Sequence, residues 1–439
     1  MQRELRPSGG NFRSLSSAIR HPTFTPAVIV LCGCLISLIG FGPRSALGFF
    51  LTPLSQAHGW GREVFALSVA VQTLLYGAAQ PFSGAIADRF GTVRVIIGGT
   101  LLYAAGIFMM AHAATPGMLY LSSGVLIGFG LSGCSFNLVL SSFGKLLPES
   151  WRSLAFGAGT AAGSFGQFLF SPLGVGLIDA FGWQRALEIF AGLLLLIVPL
   201  AFAISTSRAD AVTQTSRGKH EPTRTDLRAP HQPGVAPTQT YREALAEAFG
   251  HRSYLLLVIG FFTCGFQLGF VTLHLPAYLI DRGLSAQVGG WTLGVIGLFN
   301  IVGAMGSGWL GGRMPKRYIL AAIYFARALA VIFLVTLPAS PAVALIYGAM
   351  TGLLWLSSVP PTAGLVALMF GTRWMAMLFG IAFFSHQVGG FLGIYLGGAL
   401  FERTGSYDIV WWLGVVLGVV SAVINLPIVE KPVARLAPA

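Results

Sequence analysis

Charge is scarce in this 439-residue chain: 10% of its residues are Asp, Glu, Lys or Arg, against about 25% in a typical soluble domain. Its 15 acidic residues avoid the middle of every long apolar run. Glu63, Asp88, Glu149, Asp179, Glu188, Asp281, Glu402 and Asp408 flank such runs, and the others lie in polar segments. A proton-driven exporter of cations needs a carboxylate inside the membrane for both passengers, so this composition argues against that class. The four cysteines, Cys32, Cys34, Cys134 and Cys264, all fall in apolar runs. Cys32 and Cys34 are two apart and point in different directions on a helix, which reads as packing thiols without a disulfide or metal site. Phosphate loops, metal clusters and nucleophile–base motifs are missing too, so neither ATP-driven work nor enzyme chemistry is expected, and no cofactor.

What the chain has instead is apolar length. Hydrophobic residues make up 54% of it, in successive runs that can each cross a bilayer. Twelve spans are expected, near 24–54, 63–87, 95–114, 117–143, 154–178, 186–206, 253–280, 288–311, 318–337, 341–369, 375–400 and 408–429. The 57 glycines suit close helix packing in lipid. A net charge of +12 suggests nucleic acid at first sight, but its distribution excludes that. With the N-terminus inside, the outer side holds only Arg62, Arg185, Arg282 and Arg403, and Arg44 and Arg327 fall within spans. The other 21 of the 27 basic residues then lie on the inner side. This positive-inside asymmetry predicts cytoplasmic termini. The first 23 residues are polar and basic, so no cleavable leader is expected. A multi-pass monomer in a bacterial inner membrane follows, with the lipid bilayer as its solvent.

The domain reading is a cytoplasmic tail (1–23), a six-helix bundle (24–206), a cytoplasmic linker (207–252), a second six-helix bundle (253–429) and a short tail (430–439). The linker is rich in Thr, Arg, Pro, Gln and His and cannot bury enough apolar surface to fold alone. Toward its end, Tyr241 to His251 suits a short amphipathic surface helix. The flanking halves repeat at a spacing of 223–224 residues. Pro53 pairs with Pro276, Phe156-Gly157 with Phe379-Gly380, Gly84 with Gly308 and Gly182 with Gly405. Parallel halves of this kind place a transported solute near the midplane between repeats.

Gly84 to Arg94, reading GAIADRFGTVR, lies at the seam of the second and third spans. It resembles the G-x-x-x-D-R-x-G-x-R signature of the major facilitator superfamily. The resemblance implies an all-α fold of twelve transmembrane helices in two six-helix bundles. It also implies a gating role for Asp88, Arg89 and Arg94, with Arg313 as the base kept in the second copy, where Asp88-Arg89 falls on Gly312-Arg313. Phe41 to Phe50, FGPRSALGFF, looks like the first helix of the monocarboxylate transporters, whose Pro-Lys-Ser is followed by Phe-Phe. Their lysine, implicated in substrate and proton binding, corresponds to Arg44. Gly59 to Arg62, and Tyr76 to Pro81, resemble the second-helix region of that branch. The eighth helix departs from it: an Asp and an Arg four residues on are replaced by Asn300 and Ala304. The related bacterial oxalate–formate antiporters use basic residues in late helices, without a clear match here.

Each ionisable group inside a span is a candidate site. Arg44 follows Pro43, which locally opens the helix, and its planar fork suits an oxyanion; the rival reading is outward snorkelling or pairing with a carbonyl. His386 and Gln387 lie near the middle of the eleventh span and replace Gly163 and Ser164 of the repeat. Histidine can change its charge near neutral pH. His274 is a second such candidate, and either can instead be interhelical glue. Gln72, Tyr76, Asn137, Gln267 and Asn300 complete the candidate substrate site. Arg327 reads as structural, without an evident partner. The expected function is secondary transport of a small organic anion of monocarboxylate type by alternating access, a proton travelling through His386 or on the substrate. The rival is efflux of neutral or cationic solutes, against which the fifth span weighs, because it lacks the Gly-Pro and Gly-Gly clustering of antiporter drug pumps.

Overall fold

The computed structural model describes residues 24–204, 239–371 and 374–433. The expected tail 1–23 lies outside them, as do most of the linker and part of the C-terminal tail. In the first half, α1 (Pro26–Ala46) passes through a 3-10 turn at Leu47–Phe50 into α2 (Leu51–His58). Next come α3 (Arg62–Phe90), α4 (Thr92–Ala111) and α5 (Pro116–Leu119). A π segment at Tyr120–Leu126 leads to α6 (Ile127–Gly133), α7 (Phe136–Leu146), α8 (Glu149–Leu195) and α9 (Ile197–Ala201). The second half opens with α10 (Tyr241–Gly250), the helix expected at the end of the linker. Its start is fixed by a capping box: the Glu243 N–H donates to the Thr240 hydroxyl, and the Thr240 N–H donates to the Glu243 carboxylate at 2.8 Å. Then follow α11 (Arg252–Asp281), α12 (Ala286–Gly311), α13 (Lys316–Thr336), α14 (Pro341–Leu354), α15 (Val359–Phe370), α16 (Met375–Thr404) and α17 (Asp408–Asn425).

Among the described residues, 11 helical stretches are long and apolar enough to cross a membrane. The difference from twelve is one of continuity. Leu154–Ile204 is a single stretch of 51 residues that carries both the fifth and the sixth expected spans. The chain turns inside it at Gly182, whose φ of 80° is left-handed and suits glycine. Gly405, its repeat mate, has φ 68° and ends α16 before α17.

The repeat is also visible where helices break. The fourth span is interrupted at Cys134–Ser135, between α6 and α7, and the tenth at Trp355–Ser358, between α14 and α15. These positions are 223–224 residues apart. A Cβ on Gly40 would meet the Cys134 carbonyl at 3.3 Å, and the thiol of Cys264, its repeat mate, lies 3.3 Å from the Ser358 hydroxyl. Irregular backbone at membrane depth survives where it is buried in protein or lines a cavity. It is the feature that marks solute sites in duplicated transporters.

The halves meet along two seams, α3 against α16 and α8 against α12. At one end Arg62 donates to Asp281 at 2.6 and 2.8 Å and to the Tyr407 hydroxyl at 3.0 Å, and its backbone N–H donates to Glu402. Tyr395 donates to Glu63 at 3.1 Å, and Gln287 to Asp179 at 2.7 Å. The seams continue to mid-helix and reach Gln387–Thr73 and Asn300–Ser164, with donor–acceptor distances of 3.2 and 2.9 Å. These two latches are repeat mates: Gln387 also packs against Gly77, which lies 223 residues before Asn300. Toward the other end, a Cβ on Gly84, Gly306 or Gly380 would meet no heavy atom within 4 Å. Phe82, Met305 and Trp309 are exposed there at 70%, 72% and 59%. Among the described residues, the polar contacts across the seams lie at the Arg62 end and mid-helix, and none is found at the Arg89 end.

Candidate functional site

Pro43, inside α1, removes one backbone donor, and the helix gives way to the 3-10 turn four residues later. Arg44 is half-buried just before that turn. Its guanidinium carbon lies 4.8 Å from the centre of the Tyr76 ring. Among the described residues it forms no ion pair. A cation–π contact supplies about 0.5–2 kcal/mol, whereas moving an ion out of water costs several. The charge therefore requires water or an anion beside it.

Tyr76 carries the site to the junction of the halves. Its ring packs edge-on against Phe383 of α16 at 6.3 Å, and Phe383 stacks on His386 at 5.7 Å. His386 Nδ1 is 2.9 Å from the Gln387 side-chain oxygen, so in this arrangement Nδ1 carries the proton and donates. Gln387 in turn donates across the seam to Thr73. Gln80, one turn beyond Tyr76 on α3, accepts from Ser135 at 3.4 Å and so ties this cluster to the break in the fourth span. Arg44, Tyr76, His386 and Gln387 are thus brought together from α1, α3 and α16, where the joined part of the seam ends.

The other candidates lie elsewhere. Gln72 is fully buried one turn from Tyr76, and neither atom of its amide has a partner among the described residues. Asn137 is exposed in the first turn of α7. Asn300 donates to Ser164 and accepts from the Leu356 N–H at 3.0 Å, so it both latches the seam and caps backbone freed by the break in the tenth span. Gln267 turns into the second half and donates to the Gly414 carbonyl at 2.9 Å. His274 is fully buried with both ring nitrogens engaged, Nε2 to the Ile394 carbonyl at 2.8 Å and Nδ1 to the Tyr407 hydroxyl at 3.2 Å. A carbonyl only accepts, so Nε2 carries the proton, and Nδ1 accepts from Tyr407. This chain, which begins at Arg62, belongs to the joined end. Burial pushes the Tyr407 phenol up to about 12, against the pull of Arg62, so Tyr407 stays a neutral link.

Of the expected gating residues, the Asp88 side chain lies outside the described residues. Arg89, Arg94 and Arg313 are exposed. Arg89 sits 5.3 Å from the Phe90 ring centre, Arg94 donates to the Phe90 carbonyl, and Arg313 lies 3.8 Å over Trp309. Sequence reasoning missed the lock at the opposite end. Arg62, Asp281, Glu402 and Tyr407 read as ordinary flanking residues because their partners come from the other half or from another helix. Complementary charge at span ends on the same side was the available signal. Cys264, expected as a packing thiol, is a buried free cysteine of the core whose thiol lies 3.3 Å from the Ser358 hydroxyl.

The chain is 28% identical over 404 residues to the uncharacterized MFS-type transporter YcxA of Bacillus subtilis, covering 89% of this chain and 92% of that protein. It is 25% identical to monocarboxylate transporter 13 of Rattus norvegicus, over 87% of this chain and 83% of the relative. The crystal structure of a D-xylose–proton symporter superposes with a TM-score of 0.71, covering 92% of this chain and 98% of that one. At 13% identity this likeness shows the fold alone. The profile of the Major Facilitator Superfamily matches residues 33–394, and the chain belongs to that superfamily as a multi-pass membrane transporter.

Proposed function

We propose that the protein moves a small organic anion of monocarboxylate type across a bacterial cell membrane, with both termini on the cytoplasmic side. The observation that carries this reading is Arg44: a half-buried guanidinium with no carboxylate partner among the described residues, set over Tyr76 at the junction of the halves. A carboxylate docking there gains two parallel charge-assisted hydrogen bonds, which a neutral solute cannot supply in full and a cation cannot supply at all. The similarity to monocarboxylate transporter 13 supports the same substrate class. Rocking of the halves about the junction would open the Arg62 end as the Arg89 end closes, presenting Arg44 to each side in turn. His386, one stacking contact from Tyr76 through Phe383, is placed to exchange a proton with the bound acid.

The test is uptake into proteoliposomes of labelled small monocarboxylates, with neutral sugars and cationic amines as controls, at several pH values. Saturable uptake of acid, lost in Arg44→Ala and partly kept in Arg44→Lys, is the expected result. Uptake of acid that survives in a folded Arg44→Ala protein, or transport confined to the sugars or amines, sinks the reading and favours efflux.

A further inference from the structure

A second arginine lies inside the second half. Arg327, near the middle of α13, is 4% exposed. Its Nε donates to the Leu354 carbonyl at 3.1 Å, and its Nη2 to the carbonyls of Leu354 and Trp355, acceptors freed by the break between α14 and α15. Nη1 is buried without a hydrogen-bond partner among the described residues. Arg327 also lines a cavity of about 20 Å³, together with Gln267, Tyr347, Trp355 and Trp411. Among the described residues the Trp411 Nε1 is another buried donor without a hydrogen-bond partner, and so is the Tyr347 hydroxyl, although Thr351 lies close enough to compete for it. Among the described residues no carboxylate pairs with Arg327.

We propose that this cavity is a halide site, occupied by chloride, with Arg327, Trp411 and Tyr347 as its donors. Charge is the first argument. Carbonyl dipoles offset a guanidinium in part, but a full charge out of water requires a counter-charge. Size is the second. The cavity holds one water-sized particle, which admits a monatomic anion and excludes an organic acid. Donor chemistry is the third, since a guanidinium and an indole N–H can only donate. One contact favours water instead. The Gln267 side-chain oxygen is an unpaired acceptor on a residue that lines the same cavity, while its nitrogen is held by Gly414. The proposal is independent of the Arg44 reading, because these donors lie within one half and away from the seam.

The experiment is thermal unfolding of the purified full-length protein in chloride or bromide against gluconate, at matched ionic strength. Chloride and bromide are expected to raise the Tm of the wild type saturably, by about 2–4 °C. Arg327→Gln should lose that response, and Trp411→Phe should raise the half-saturating halide concentration about tenfold. Arg44→Ala should respond as the wild type does. If Arg327→Gln fails to fold, Trp411→Phe and Tyr347→Phe still test the site, because each removes one donor and leaves an aromatic ring in place. A wild type indifferent to halide overturns the proposal and leaves water in the cavity. So does a response of equal size in Trp411→Phe and Tyr347→Phe, or formate stabilising more than chloride does.

Discussion

The two halves break a helix at the same point of the repeat but place their buried arginines differently. In the first half the cation is on the first span: Arg44 is half-buried and reaches Tyr76 at the seam. Its repeat mate in the second half is Gln267, which turns inward to Gly414. There the cation is Arg327, the repeat mate of the buried Tyr103, and it is spent on the carbonyls of the broken helix. The duplicated scaffold thus breaks a helix at equivalent points of the two halves, and the sequence decides which arginine reaches the seam. The difference separates a charge turned toward the seam from one that holds backbone in place and leaves only Nη1 for an enclosed cavity.

Exchanging each arginine for glutamine tests this division most directly and carries the largest effects. Arg44→Gln should lower acid uptake about 100-fold, the equivalent of about 3 kcal/mol at the transition state, with little change in Tm. Arg327→Gln should show the opposite emphasis. It orphans the carbonyls of Leu354 and Trp355, at about 1–3 kcal/mol each, so the Tm falls clearly while transport per folded molecule falls less than in Arg44→Gln. Melting curves and uptake normalised to folded protein separate the two. Equal transport losses in both variants would collapse the distinction.

The halves also divide the lock at the Arg62 end, where the first contributes the cation and the second contributes Asp281, Glu402 and Tyr407. Asp281 is 33% exposed in its side chain, so the pair is worth about 1 kcal/mol after solvent screening. Arg62→Ala should then shift the balance toward opening of that end about fivefold. Distances between spin labels at Phe181 and Arg282, exposed residues in opposite halves, would report a longer population in the variant. An unchanged distribution would mean that packing, such as Gly398 against Ala66, holds the seam without the ion pair.

Much of the fold was legible in the sequence because membrane spanning imposes one requirement on every helix, about 20 apolar residues. Gly182 and Gly405 could be paired by spacing, and the structure shows that both turn the chain with positive φ. The run from Leu154 to Ile204 was harder, since a single glycine turns the chain there without any polar loop. At the candidate site, Arg44 and His386 were legible as ionisable groups out of place in hydrocarbon. Their assembly through Tyr76 and Phe383 was not, because it depends on how α3 meets α16. Gln267 and His274 showed the converse: a polar residue in a span announces that it needs a partner without saying whether that partner is solute or protein.

Two histidines in spans of the second half, one half-buried and one buried, sharpen the same contrast by a smaller effect. His386 stands where the first half has Gly163 and lies one aromatic ring from Tyr76. His274 has both nitrogens engaged at the joined end. His386→Gln should flatten the rise of acid uptake with falling pH by at least about twofold in slope, with a modest change in KM. His274→Gln should leave the slope alone and lower the Tm. Uptake measured across pH in both variants decides the route: a slope unaltered in His386→Gln places the proton on the acid itself.

The mildest test concerns the two seam latches, where the repeat predicts equivalence and the chemistry does not. Gln387 reaches a backbone carbonyl, Thr73, which no side-chain substitution removes. Asn300 reaches a side chain, Ser164, so this latch can be dissected by a double-mutant cycle. Interhelical hydrogen bonds in membranes average about 0.6 kcal/mol, because the separated helices find other partners. Ser164→Ala should therefore cost about that much, and Asn300→Ala should cost more, because it also orphans the Leu356 N–H at the break in the tenth span. The Ser164–Asn300 coupling energy, read from unfolding of the two single variants and the double variant, is expected near 0.5–1 kcal/mol. A coupling near zero would make Asn300 a cap for the broken helix whose approach to Ser164 is incidental. The α8–α12 seam would then be held by Gln167, which donates to the Leu293 carbonyl at 3.2 Å, and by the close approach of Gly297 to Ser164.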